Sequence, residues 1–344
     1  MAANLGYKAG KASVAFAMED YYIWDSSVIL VDGIYHMFAS RWPKSLGFGS
    51  NWLFNSEIVH ATSPTPEGPY IFQNVVLPRR GRAYFDGMNT HNTCIKTWDG
   101  KFYLYYMGTS YSGEIPTHES QIDSHRALEV WNRKRIGVAV ADDINGPFVR
   151  QDHPLLEPRD PSHWDCTVTT NPTVAILPSG KTYMIYKSRS GVGMPLKLGM
   201  AVADHPAGPF TRLSDDPILD FKDDSAHIED PYLWYDASRK TFCMIAKDDV
   251  KNGAHGITGE WGSGFYAESQ DGISFTIAPD PTVYTRHVTW DNGRKTLQGN
   301  LERPSVLFDE SGCPTHLFCA TGSAKTPYAF TDNTFVACLK LHKE

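Results

Sequence analysis

The chain has 344 residues, of which 41% are hydrophobic and 21% are charged, and this globular composition argues against extensive disorder. The net charge of −7 argues against nucleic acid or an anionic membrane as the main partner. No apolar run approaches the roughly 18 residues that a membrane-spanning helix needs.

The first residues lack a signal-peptide pattern, which predicts a cytoplasmic protein, or a periplasmic or secreted one whose leader was removed. The six cysteines show no metal-binding spacing, so we expect most of them to be buried free thiols.

Short aromatic and β-branched runs alternate with turn residues along the whole chain, which is the pattern of strands and turns. Three phrases recur in one order: an apolar entry strand, a turn with an aromatic strand, and a strand that leads to a Gly-Pro-Phe-like turn. In chain order the entry strands read WDSSVIL (24–30), HNTCIK (91–96), NPTVAIL (171–177), EDPYLWY (229–235) and ERPSVLF (302–308). The repeat length is roughly 65 residues.

Five copies of a four-stranded unit predict an all-β fold, a five-bladed β-propeller with four antiparallel strands per blade. Two β-sandwiches would not explain why the phrases keep their order. We expect a single domain over 1–344, with blades at approximately 20–80, 88–155, 165–220, 225–285 and 298–342. The fifth copy lacks the Gly-Pro-Phe phrase, so the segment 12–18 is expected to supply the missing strand and close the ring.

The innermost strand of each propeller blade lines the central channel, so the first residues of the five entry strands should converge at one mouth. Every one of these positions is polar or aromatic: Trp24, Asp25, His91, Asn92, Asn171, Glu229, Asp230, Glu302 and Arg303. Taken singly, each has an ordinary explanation in turn chemistry. Their coincidence in five blades favours a shared site. Charge repulsion from Asp230 is expected to raise the pKa of Glu229.

Through these phrases, over roughly 20–342, the chain resembles the five-bladed propeller glycoside hydrolases of family 43 and of family 117, the neoagarobiose hydrolase-like enzymes. The resemblance implies a general base at Asp25, a general acid at Glu229 and inversion at the anomeric carbon. Those families place an acid-orienting aspartate on blade three, where this chain has Asn171. The resemblance therefore leaves that role to Asp165, to Asp230 or to an apolar pocket.

The resemblance to family 117 implies a catalytic role for His227 close to the acid, and the other residues around the expected mouth, Asp230 and Glu302 among them, are candidates for binding sugar. His227 could share the face of Glu229, because residues i and i+2 of a strand point the same way. His91 and Asn92 suit sugar hydroxyls, and Trp24 suits stacking. Arg303 suits hydroxyls, a carboxylate or a sulfate, or alternatively an ion pair that locks the channel.

Two insertions add further candidates. The insertion at 111–135 is expected to contain a short helix and to offer His118, Glu119, His125 and Trp131. The one at 253–264 offers His255, Glu260 and Trp261. Lys187, Arg189, Lys247 and Asp248 follow central strands, and we expect them at the surface.

The favoured function is an exo-acting inverting glycoside hydrolase that removes a terminal α-L-arabinofuranosyl, β-xylosyl or 3,6-anhydro-L-galactosyl unit from plant or algal oligosaccharides. The alternatives are a fructosidase, a phosphate-dependent glycoside phosphorylase, or a non-catalytic carbohydrate-binding propeller, which Asn171 keeps open. No cofactor or catalytic metal is required, although a channel-bound ion such as calcium and a homodimer are both compatible with the sequence.

Overall fold

The computed structural model describes residues 3–221, 226–250, 255–324, 326–330 and 333–343. Within these residues, five four-stranded antiparallel sheets follow one another along the chain, which confirms the predicted five-bladed propeller. In the first four blades the strand order is the chain order, because each strand connects to its neighbour by a turn or a loop.

The strands have the following bounds. The chain begins with β1 (Tyr7–Phe16), and blade one contains β2 (Tyr21–Val31), β3 (Ile34–Pro43), β4 (Glu57–Ser63) and β5 (Ile71–Leu77). Blade two contains β6 (Asn89–Trp98), β7 (Lys101–Thr109), β8 (Arg135–Ala141) and β9 (Val149–Arg150). Blade three contains β10 (Thr170–Ile176), β11 (Thr182–Ser188), β12 (Lys197–Ala203) and β13 (Thr211–Arg212). Blade four contains β14 (Ile228–Asp236), β15 (Thr241–Asp248), β16 (Gly264–Ser269) and β17 (Thr276–Tyr284).

The ring closes as the sequence predicted. Blade five contains β20 (Leu301–Phe308), β21 (Pro314–Gly322) and β22 (Thr334–Lys343), and β1 pairs antiparallel with β22 as its outer strand. The first and last strands of the chain therefore share one sheet, and Ala12, Ala15 and Phe16 of β1 are buried.

A few elements lie outside the blades. A hairpin of β18 (His287–Thr289) and β19 (Lys295–Leu297) precedes blade five. The helices are α1 (Trp52–Asn55) and α2 (Ser124–Asn132), the latter within the insertion where a helix was expected. In the described part of the chain, neither helix has the length and apolar character to cross a bilayer.

Each innermost strand carries a β-bulge at the same place. The pairing register shifts there, and one residue of the bulge has a positive φ. These residues are Asp25 (51°), Asn92 (57°), Asn171 (52°), Asp230 (51°) and Arg303 (55°). Asn and Asp tolerate left-handed backbone better than other residues that carry a Cβ, so Arg303 is the exception. A bulge re-aims side chains, so consecutive residues such as Glu229 and Asp230 can both face the channel mouth.

Candidate active site

The channel mouth opens into a cavity of about 680 Å³, part of which is open to solvent. The innermost strands of blades two to five each contribute at least one polar residue to its lining, and the innermost strand of blade one contributes Trp24. The aromatic lining residues are Trp24, Trp42, Phe48, Trp52, Trp131 and Tyr328. Aromatic walls around a few convergent polar groups are typical of small-molecule sites.

Asp25 lies deeper, against a small cavity in the channel, and is only 1% exposed. Its Oδ2 accepts hydrogen bonds from Ser40 Oγ and from the Asn92 backbone N–H, each at 2.9 Å. Arg303 Nε lies 2.8 Å from Oδ1, although its N–H is not directed at that oxygen. Burial raises the pKa of Asp25, but His91, Arg303 and these hydrogen bonds outweigh burial and hold the pKa below its usual value.

His91, on the innermost strand of blade two, contacts Asp25 and Ser56 of blade one. Its Nε2 is 3.1 Å from Asp25 Oδ2, its Nδ1 is 2.8 Å from Ser56 Oγ, and its ring stacks on Trp52 at 4.8 Å. Burial lowers the pKa of His91 to about 4. The imidazole is therefore neutral near pH 7.

Glu229 differs from expectation in its electrostatics. Its Oε1 pairs with Lys187 and its Oε2 lies 3.2 Å from Lys247 Nζ. Burial raises the pKa of Glu229, but these two ammonium groups outweigh burial and hold the pKa below its usual value. The expectation that Asp230 would raise it was wrong, because both lysines, expected at the surface, are buried beside the carboxylate.

The carboxyl with a raised pKa is Glu302. Burial raises its pKa, Lys247 opposes this, and the negative charges of Asp230 and Glu229 add to it. Glu302 Oε1 accepts from Lys247 Nζ at 2.5 Å, Tyr328 OH at 2.6 Å and Asn300 Nδ2 at 2.8 Å. No described residue donates a hydrogen bond to Oε2, so that oxygen is the one available to hold a proton.

Asn171 orients Asp230 across the gap between blades three and four. Asn171 Nδ2 donates to Asp230 Oδ1 at 2.9 Å, and Arg303 Nη1 donates to the same oxygen at 3.0 Å. Thr170 Oγ1 donates to Asn171 Oδ1 at 2.9 Å, which sets the amide orientation. Asp230 is thus a carboxylate of blade four that is held in place by blades three and five.

Asp165 does not reach the mouth, contrary to one expectation. It is buried and accepts from Tyr186 OH at 2.7 Å, from Arg159 Nε at 2.6 Å and from Arg212. Blade two repeats this cluster around Asp86, with Tyr106 OH at 2.6 Å, Arg80 Nε at 2.7 Å and Arg150 Nη1 at 3.2 Å. Because the cluster recurs in a second blade, we interpret it as a structural link between an entry loop and an outer strand.

His227 also lies elsewhere. Strand β14 begins at Ile228, so the face rule for strands does not extend to His227. The residue lines a separate cavity of about 840 Å³, together with Trp164, Met194 and Asp220. Asp220 is paired with Lys197 at 2.7 Å. We assign the site to the mouth, where several carboxyl groups converge.

The insertions contribute unequally. Trp131 of α2 lines the mouth cavity, whereas His118, Glu119 and His125 are exposed. In the second insertion, 253–254 lie outside the described residues and His255 is exposed. Glu260 lies 3.8 Å from Arg286 Nε, and Trp261 Nε1 donates to Asp249 Oδ1 at 2.9 Å.

Asp248 is buried, contrary to expectation, and anchors the second insertion. Its Oδ2 accepts the backbone N–H groups of Ile257 at 2.8 Å and Thr258 at 2.7 Å. Arg189 is half-buried rather than exposed. The sequence pattern placed Lys187 and Lys247 at the surface and did not single out Lys134 or Tyr328, because nothing in the local sequence shows that a residue faces a neighbouring blade.

No protein-family model and no curated protein sequence matches the chain. Solved structures match it over nearly its whole length. A family 117 glycoside hydrolase from the marine bacterium Zobellia galactanivorans has 17% identity and a TM-score of 0.66, covering 97% of this chain and 90% of that one. The GH43_1 enzyme from Xanthomonas citri, complexed with xylose, has 17% identity and a TM-score of 0.60, with coverage of 97% and 90%.

An endo-arabinase from Bacteroides thetaiotaomicron is similar at 11% identity and a TM-score of 0.58, covering 96% of this chain and 98% of that one. At these identities the likeness shows the fold. It confirms that the five blades are arranged as in structures of glycoside hydrolases of families 43 and 117.

Proposed function

We propose that the protein is a glycoside hydrolase that cleaves a terminal sugar by general acid–base catalysis at the channel mouth. The observation that carries this proposal is the convergence of carboxyl groups from blades one, four and five beside an aromatic cavity. The structures with the same fold, which bear the names of glycoside hydrolases, support it. A cavity closed by blades on all sides suits an exo-acting enzyme better than an open cleft would.

Asp25 is our proposed general base, because its lowered pKa keeps it ionised near neutral pH. An inverting enzyme needs one carboxylate to activate water and one protonated carboxyl to donate to the leaving oxygen. The arabinofuranosyl, xylosyl and anhydrogalactosyl sugars named above remain the proposed substrates.

Two residues are candidates for the general acid. Glu229 occupies the position that the resemblance implies, but both of its oxygens are paired with lysines. Glu302 has a raised pKa and an oxygen, Oε2, without a donor among the described residues. We therefore propose that Glu302 is the general acid, already protonated before substrate binds. Glu229 is then the carboxylate that holds Lys247 in place beside Glu302.

The proposed mechanism requires no cofactor. Arg303 places a guanidinium between Asp25 and Asp230. We expect no calcium ion between Asp25 and Asp230, because the guanidinium of Arg303 would repel a cation there.

The test measures hydrolysis of a panel of plant and algal oligosaccharides by the wild type and by Asp25→Asn, Glu229→Gln and Glu302→Gln. The exposed surface variant Asp142→Asn is the control. Loss of the base or of the acid should lower the rate by about 10²-fold or more. On nitrophenyl glycosides, only the variant that lacks the general acid should regain hydrolytic activity, because the nitrophenolate leaving group departs without protonation.

Recovery by Glu229→Gln instead of Glu302→Gln would return the acid role to Glu229. Unchanged rates in all three site variants would contradict a hydrolytic site at the mouth. A wild type that binds a panel sugar without cleaving it would favour the carbohydrate-binding alternative. Turnover that depends on added phosphate would favour the phosphorylase alternative.

A further inference from the structure

Among the described residues that line the mouth cavity, one basic side chain has no carboxylate paired with it. Lys134 precedes β8, lines the cavity and is only 2% exposed. Within the described residues, no hydrogen-bond acceptor and no carboxylate is paired with its Nζ. Burial and the positive charge of Lys187 lower the pKa of Lys134 well below its ordinary value, and the negative charge of Glu229 only partly opposes them.

The carboxyl groups of the mouth are already paired with other cations. Glu229 is held by Lys187 and Lys247, and Glu302 by Lys247. Asp230 is paired with Arg303. Lys134 is therefore the basic side chain of the described lining that none of these carboxyl groups pairs with. A buried ammonium group is costly unless something pairs with it.

Aromatic rings and a second cation surround this lysine. Lys134 Nζ lies 3.4 Å from the centroid of the Trp131 ring and 5.7 Å from that of Trp52. Arg189 lies over Trp131 at 3.7 Å, and its only described hydrogen-bond partner is the neutral Asn132 Oδ1 at 3.1 Å. Trp131 is thus flanked by two cations, neither of which has a carboxylate partner among the described residues.

We propose that Lys134 and Trp131 form a subsite for an anionic group, a carboxylate or a sulfate ester, carried by the sugar that enters the mouth. The ammonium group would pair with the anion, and the indole would hold the ammonium group in place. This inference rests on the proposed function for its sugar ligand and makes that function specific, since the oligosaccharide that supplies the terminal sugar would also carry an acidic group.

Binding of matched monosaccharides tests the subsite without any turnover. We would titrate two matched sets of sugars and follow binding by ligand-observed NMR. One set is galactose, galacturonic acid and galactose 6-sulfate, and the other is glucose and glucuronic acid. The wild type should bind at least one acidic sugar about tenfold or more tightly than its neutral counterpart, and Lys134→Met should remove that preference. The uronate and sulfate arms identify which anion is recognised.

Lys96→Met is the matched control. Lys96 is also largely enclosed and lies 4.5 Å from the ring centroid of Tyr232, but it is not part of the mouth lining. The control should keep the preference for acidic sugars. Equal binding of neutral and acidic sugars, or a preference that survives Lys134→Met, would overturn the subsite. Tight Lys134-dependent binding of inorganic phosphate alone would overturn its assignment to the sugar.

The two proposals fail separately. Lys134-dependent binding of acidic sugars without hydrolysis of any panel member would refute the glycosidase and leave the subsite standing. Hydrolysis of neutral oligosaccharides, combined with indifference to Lys134→Met, would refute the subsite and leave the glycosidase standing.

Discussion

At the scale of single residues, the mouth is organised by pairs of groups that come from different blades. Asn171 of blade three donates to Asp230 of blade four, and Arg303 of blade five donates to the same oxygen. The asparagine therefore holds Asp230 in place by donating a hydrogen bond. An aspartate at 171 could not do so, since its carboxylate would face another carboxylate.

The variant Asn171→Asp tests this reading. Repulsion from Asp230 should raise the pKa of the new carboxyl above its unfolded value, which is about 3.9. The unfolded state then releases its proton first as the pH rises, so stability is lost above about pH 4 and recovered below it. We expect a loss of roughly 1–3 kcal/mol at pH 7 in denaturant unfolding.

Asn171→Gly is the control, because it removes the hydrogen bond without adding charge and suits the positive φ of 52°. The two variants should differ at pH 7 and converge in acid. Equal stability of Asn171→Asp and the wild type at pH 7 would contradict the prediction. It would mean that the positive charge of Arg303 offsets the repulsion between the two carboxylates.

At the scale of elements, strand β1 decides whether the ring is closed. It covers β22, whose backbone would otherwise be an unpaired sheet edge. Phe16 is 2% exposed and packs in a cluster with Ile23 and Val336, so β1 also joins blade five to blade one through the core.

Phe16→Ala should lower the free energy of unfolding by about 3–5 kcal/mol, because it leaves a cavity at this junction. Val14→Ala is the matched change on the same strand, at a side chain that is 49% exposed. It should cost no more than about 0.5 kcal/mol. Similar effects of the two substitutions in urea unfolding would mean that β1 contributes little to closure.

At the scale of the whole molecule, repetition separates structure from function. The clusters around Asp86 and Asp165 have equivalent tyrosine and arginine partners in blades two and three. The mouth residues, by contrast, are not one repeated set: at the equivalent bulges, blades one and four have Asp, blades two and three have Asn and blade five has Arg. We interpret the recurring clusters as structural links that hold the blades. We interpret the mouth residues, which vary at equivalent positions, as those that shape the proposed site.

Asp86→Asn and Asp165→Asn should each destabilise the protein, by about 3 kcal/mol, because the paired arginines lose a buried carboxylate. Neither should move the pH dependence of hydrolysis, which is measured as kcat/KM against pH. A shift of that profile in Asp165→Asn but not in Asp86→Asn would restore the role of Asp165 as a tuner of the acid.

The sequence by itself determined the architecture and the meeting of the entry-strand residues at the channel mouth. Turn and strand phrases repeat in one order, so the blade count, the closing strand and the convergence of residues such as Asp25 and Glu302 follow from local pattern. The tertiary structure alone decided the charge state and the partners of these residues. Lys187, Lys247 and Lys134 approach from neighbouring strands or from an insertion, and a pKa depends on such spatial neighbours rather than on adjacent letters.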